Sequence, residues 1–140
     1  LLYHWRVLPG APPLADELGL ATSPRFDLST DERDLIARTT GHDACYAARE
    51  LLNWLVVNVV GIADPDTGGP VERYAYLHRC AAGTRPTGVP GPVADLISRY
   101  APVAAILNDF YGNLYGVSRT TPYPTRELAR AVAALPGFAA

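Results

Sequence analysis

The 140-residue chain contains no methionine, no lysine and no glutamine. Its twelve basic residues are all arginine, which points to a GC-rich coding bias and means that any anion site would use planar, bidentate guanidinium groups. A missing initiator Met is expected of a processed, trimmed or partial chain, so the lack of an N-terminal targeting signal carries little weight. Two cysteines, Cys45 and Cys80, are too few for a disulfide framework and are expected of a reduced compartment, with the cytoplasm as default. No apolar run reaches the ~18 residues of a membrane span, because Asn53 and Asn58 interrupt the best candidate; no membrane partner is expected. Nor is there an excess of positive charge. The formal net charge is −2, so nothing electrostatic favours nucleic acid as a partner.

Charged residues make up only 19% of the chain and hydrophobic residues 49%, which excludes a disordered chain and fits one globular domain. A domain of this length buries roughly two-thirds of the surface its unfolded chain exposes.

The longest nearly uninterrupted apolar stretch is 43–60. Read as a helix, Ala48, Leu52, Leu55, Val56 and Val59 form one stripe, which Cys45, Leu51 and Val57 widen. Arg49, Glu50, Asn53 and Asn58 leave a narrow polar edge. A helix apolar over most of its circumference is expected at the centre of a fold, with neighbours on several sides.

Residues 1–28 are expected to be an irregular segment packed on a helical body, with two helical turns at Leu14–Leu20. Ser29 and Glu32 stand at capping-box spacing and start a short helix from about Thr30 to Arg38. Asp43 is placed to cap the central helix. After the turn-rich stretch 61–69, residues 71–82 read as a helix opened by Pro70, with Val71, Tyr74 and His78 along one face. The alternative is a strand that alternates Tyr74, Tyr76, His78 and Cys80 and pairs with the β-branched run 55–62. Residues 83–92 are a Pro/Gly loop. A helix then runs from Pro92 to Tyr100, and Pro102 is expected to kink or restart it. Val103, Ile106, Leu107, Phe110 and Leu114 make the clearest amphipathic pattern in the chain, with Asn108, Asp109, Gly112 and Asn113 on the other side. Thr125 to Leu135 makes the last helix.

The fold class that follows is mainly α: a single compact domain, 1–140, of five to six helices around a central apolar helix at 43–60. The alternative is α+β, with a hairpin at about 55–62/70–80.

Four constellations bear on chemistry. His42-x-x-Cys45 with His78-x-Cys80 brings together metal-ligand residue types, and zinc takes such ligands in fours. On a helix His78 and Cys80 point ~200° apart, so this site requires the hairpin. Otherwise the cysteines are small core residues and no metal is expected. Cys45 in the first turn of the central helix, with His42 or His78 as base, is the arrangement of a cysteine nucleophile. The late helix carries Tyr100, Asn108, Asp109, Tyr111, Asn113 and Tyr115, a cluster that suits a small-molecule pocket or a partner surface, since Tyr joins apolar area to a hydroxyl. No Walker-type phosphate loop is present: Gly68-Gly69 and the Gly83–Gly91 stretch lack the strand-to-helix setting and the lysine it requires.

The fourth is Arg73-Tyr-Ala-Tyr-Leu-His78, whose Arg-x4-His arrangement resembles the catalytic motif of the HEPN ribonucleases, small all-helical proteins that pair as dimers and cleave RNA. The stretch Ala47-Ala-Arg-Glu-Leu-Leu-Asn-Trp-Leu55 also resembles an early helix of some such domains. The resemblance implies that Arg73 stabilises phosphate charge, that His78 transfers a proton and that RNA is a partner.

The expected function is binding of a small organic ligand or a protein partner by a soluble helical protein. Trp54, Tyr74, His78, Asp109 and Tyr111 are the expected pocket residues. A homodimer is expected as well, because so apolar a helix is hard to cover with five or six short ones. The rival functions are the HEPN-like ribonuclease, with Arg73 and His78 catalytic, and a metal- or cysteine-dependent enzyme. No cofactor is specified.

Overall fold

In the computed structural model, residues 27, 29–31, 33–34, 41–62 and 70–136 are described. The chain divides into two units, Leu1–Arg38 and Thr39–Ala140. In the first, Thr30, Asp31, Arg33 and Asp34 are helical, and the Arg33 amide donates to the Ser29 carbonyl at 3.0 Å. A helix therefore begins where Ser29 signals one. The rest of that helix, the turns expected at 14–20 and the irregular segment, apart from Asp27, lie outside the described residues.

The regular elements described in the second unit are all helices, with no strand among the described residues. Its first helix, α1, spans His42–Leu55. Asp43 does not cap it. Gly41 holds that position at φ 83°, a left-handed conformation natural to glycine, and Asp43 sits within the first turn, where its charge complements the helix dipole. The rod continues as a π-helical stretch, Val56–Val60. Four valines in five residues propagate an α-helix poorly, and the Asn58 side chain bonds the Trp54 carbonyl at 2.9 Å, competing with the local backbone. Gly61, at φ 86°, ends the rod, and the Ile62 amide returns to the Val56 carbonyl at 3.0 Å.

Helix α2 spans Val71–Ala81, which settles the choice between helix and hairpin at 55–62/70–80. The Tyr74 amide closes the first turn on the Pro70 carbonyl at 2.9 Å. Glu72 near its start and His78 and Arg79 near its end match the dipole. The helix stops at Gly83, whose φ of 107° lets the Thr84 amide reach the Arg79 carbonyl at 3.0 Å. Its buried positions are Leu77 and Cys80. Along the face of Val71, Tyr74 and His78, Val71 and His78 are exposed and Tyr74 is half-buried.

Helix α3, Gly91–Gly116, is 26 residues long, about 39 Å at 1.5 Å per residue. Pro102 neither breaks nor restarts it. An interior proline removes one backbone hydrogen bond and costs about 3 kcal/mol. Here Ala101, Val103, Ala104 and Ala105 are all buried around it, so tertiary packing on both sides offsets that local cost. A short helix α4, Thr125–Ala133, follows and inserts Leu128, with Leu135 just beyond.

The central element is α3. It packs against α1, α2 and α4 in turn, and α1 is a flanking helix. Leu52 and Leu55 of α1, Val56 of the π-helical stretch, Leu77 and Cys80 of α2, and Ile97, Ala101 and Ala104 of α3 form one core cluster. Cys45, Val103, Leu107, Leu128 and Leu135 form a second. The outer side of the α1 rod stays uncovered, with Leu51 at 44%, Trp54 at 58% and Val59 at 36% exposure. Small alanines at 101, 104 and 105 give α3 its place, because they let backbones approach closely. No helix among the described residues is long and apolar enough to cross a membrane.

Candidate functional site

Where α1 crosses α3, two stripes of polar and aromatic side chains face each other. On α1 they are Tyr46, Arg49 and Asn53; on α3 they are Asn108, Tyr111, Gly112 and Tyr115. Spacings of three and four residues put each set on one helical face. Asn53 and Asn108 exchange two hydrogen bonds through their side-chain amides, at 3.0 and 3.1 Å. Asn108 is fully buried, so this polar side chain, expected on the outer side of α3, is instead part of the helix interface. Its Oδ1 also accepts from Arg49 Nε at 2.8 Å. That bond fixes the guanidinium plane.

The guanidinium carbon of Arg49 lies 4.6 Å from the Tyr111 ring centroid and 5.7 Å from that of Tyr46, within the range of cation–π attraction. Nη1 pairs with the carboxylate of Glu50. Nη2 stands 3.4 Å from the Tyr74 hydroxyl, a long contact for a hydrogen bond. Around this group opens a cleft of about 270 Å³. Tyr46, Tyr74, Tyr111 and Tyr115 line it together with Arg49, and Pro70 and Gly112 complete the wall. Tyr111 and Tyr115 stack at 5.9 Å and 14°, while Tyr46 meets Tyr111 edge-on at 5.8 Å and 70°. At Gly112 a Cβ would stand 3.8 Å from Tyr74 Cε2, an ordinary contact, so a longer side chain there is what would fill the cleft.

Behind the cleft, Tyr111 is tied to a second aromatic group. His42 Nδ1 lies 2.6 Å from the Tyr123 hydroxyl, and its Nε2 lies 3.4 Å from the Tyr111 hydroxyl. Burial, then the neighbouring Tyr46, push the Tyr111 phenol up, against the opposing pull of Arg49. Burial raises Tyr123 further, to about 12. Both are neutral hydroxyls at ordinary pH.

Of the residues expected to converge, Tyr74 and Tyr111 line the cleft. His78 and Asp109 meet each other instead, Nε2 to Oδ1 at 2.8 Å, both about half-exposed. Trp54 is not among the residues lining the cleft, and is largely exposed. Arg73 is half-buried, with its guanidinium carbon 5.5 Å from the Tyr74 centroid and its buried Nε unpartnered. Five residues apart on a helix, Arg73 and His78 are separated by about 140° of rotation. Cys45 and Cys80 belong to different core clusters. Burial pushes both thiols up, the direction opposite to thiolate activation. Among the described residues no three His, Cys, Asp or Glu side chains gather as a metal site.

No protein-family model, curated protein or solved structure matches the chain.

Arg49, Asn53 and Tyr46 are the site residues that sequence reasoning did not assign. The signal was present in their three- and four-residue spacing on an otherwise apolar helix, but Arg49 and Asn53 read as a narrow polar edge. A facing stripe of like character on α3 is what turns that edge inward.

Proposed function

We propose that this protein binds a small organic molecule with a flat, apolar body in the cleft between α1, α2 and α3. The observation that carries this is the open space bounded by four tyrosine rings around a guanidinium held in place by a buried amide pair. Tyrosine offers large ring faces at little conformational cost and a hydroxyl for orientation, and pockets of this kind combine apolar walls with a few fixed polar groups. Isothermal titration with 2-naphthamide, a neutral bicyclic probe, tests it. Saturable binding that disappears in Gly112→Leu, with the helical circular-dichroism spectrum intact, is the expected result. Absence of saturable binding, or binding that Gly112→Leu leaves unchanged, would contradict it.

A second reading is the HEPN-like ribonuclease. What favours it is the His78–Asp109 pair, since a carboxylate that orients an imidazole suits it to proton transfer. RNA cleavage that is lost in His78→Ala is expected on that reading, and no cleavage by the wild-type chain removes it. Self-association belongs to a different surface. Leu51, Trp54 and Val59 on the outer side of α1 support pairing with a second copy; a dimer mass in native mass spectrometry that Trp54→Asp converts to monomer is the corresponding outcome.

A further inference from the structure

The geometry points to a ligand that carries a carboxylate, which takes the outer edge of the Arg49 guanidinium in place of Glu50. This inference rests on the cleft being a ligand site and specifies what the ligand must bear. Arg49 has three directions in which to donate. Its Nε is committed to Asn108 Oδ1 at 2.8 Å, which turns the Nη1/Nη2 edge away from the amide pair. On that edge Nη1 holds one acceptor, Glu50, while Nη2 has only the long contact to the Tyr74 hydroxyl. A carboxylate matches two parallel guanidinium N–H groups, and such paired, charge-assisted bonds are among the strong ones.

Glu50 is suited to be displaced. Arg49 is 12% exposed at its side chain, whereas Glu50 is 52% exposed. Glu50 is the next residue on the same helix, about 100° away around the axis, so it must reach sideways to Arg49. An ion pair with one partner this exposed is worth little. None of the residues lining the cleft is acidic, so Glu50, which is not among them, is the counter-ion that a ligand would displace. A monoanion also balances the single positive charge of Arg49, whereas a dianion such as a phosphate monoester would leave excess negative charge beside Glu50. The Tyr74 hydroxyl is placed to donate to the same carboxylate, and the stacked Tyr111 and Tyr115 rings to face the ligand's body.

The test compares two probes of nearly equal shape, 2-naphthoate and 2-naphthamide, by isothermal titration on the wild-type chain and on Glu50→Gln. The naphthoate is expected to bind about tenfold more tightly than the naphthamide. Glu50→Gln, which removes the internal competitor, should tighten naphthoate binding by about threefold and leave the naphthamide unchanged. Equal affinities for the two probes would overturn the carboxylate assignment while leaving the cleft a ligand site. A naphthoate preference that Glu50→Gln does not increase would overturn the displacement of Glu50. Failure of both probes to bind, or binding of both that Gly112→Leu does not affect, would overturn the ligand site itself.

Discussion

Asn108 is the residue on which the helix interface and the cleft both depend. Its Oδ1 serves Asn53 and Arg49 together, so truncating it leaves a buried amide and a guanidinium Nε without partners. Each such loss costs about 1–3 kcal/mol. Asn108→Ala should therefore lower stability by about 2–4 kcal/mol, measured by urea unfolding, and the double change to Leu at 53 and 108 should recover part of that, since it removes both buried amides at once. Strict additivity of the two single changes would contradict a coupled pair. Tyr123 contributes to the loss of stability at high pH. Below pH 10 its phenol is protonated in the folded and unfolded states alike. Between pH 10 and about 12 the unfolded chain releases a proton that the folded chain retains, so stability falls as pH rises through that window. Tyr123→Phe should reduce this alkaline loss, followed by circular dichroism across pH 9–12. The buried thiols of Cys45 and Cys80 should label with iodoacetamide at pH 8 only as fast as the chain opens.

Helix α3 shows how local preference and packing divide the work. Its stripe of Val103, Ile106, Leu107, Phe110 and Leu114 was readable because a 3.6-residue period survives any context: Val103 and Leu107 are buried and the other three half-buried. Its continuity through Pro102 was not readable. Proline's effect on an isolated helix is local, and what holds the rod together is burial of the alanines on either side, which is a property of the partners. Pro102→Ala restores the missing N–H and should raise stability by about 1–3 kcal/mol; a loss would mean that the ring itself fills space in the core. The choice of central helix was misleading for a related reason. High apolarity in 43–60 counts residues without saying which sides are covered, and Leu51, Trp54 and Val59 face outward. The small side chains of α3 score low as hydrophobes, yet they permit the close contacts of a hub. Helix α2 was legible through Pro70, though not its inward face, since Leu77 and Cys80 alone are too few to set a stripe.

For the molecule as a whole, Thr39–Ala140 forms a unit with its own core. A fragment 39–140 should fold alone with a helical circular-dichroism spectrum and cooperative urea unfolding; a non-cooperative transition would contradict that. At this scale the helical class was visible in the sequence and the site only in part. Tyr74 and Tyr111 were found by residue type. Arg49, Asn53 and Tyr46 were not assigned, because which edge of a helix is polar does not reveal what stands opposite it. On the proposed function, Arg49 is fixed in the cleft and contacts the ligand. The most direct measurement is a ¹H–¹⁵N spectrum of the arginine Nε–H region as 2-naphthoate is added. Arg49 Nε–H should exchange slowly before addition, since Asn108 holds it in a half-buried site, and should shift in a saturable way during the titration. An unprotected Arg49 Nε–H, or a resonance that does not move as 2-naphthoate binds, would contradict the account.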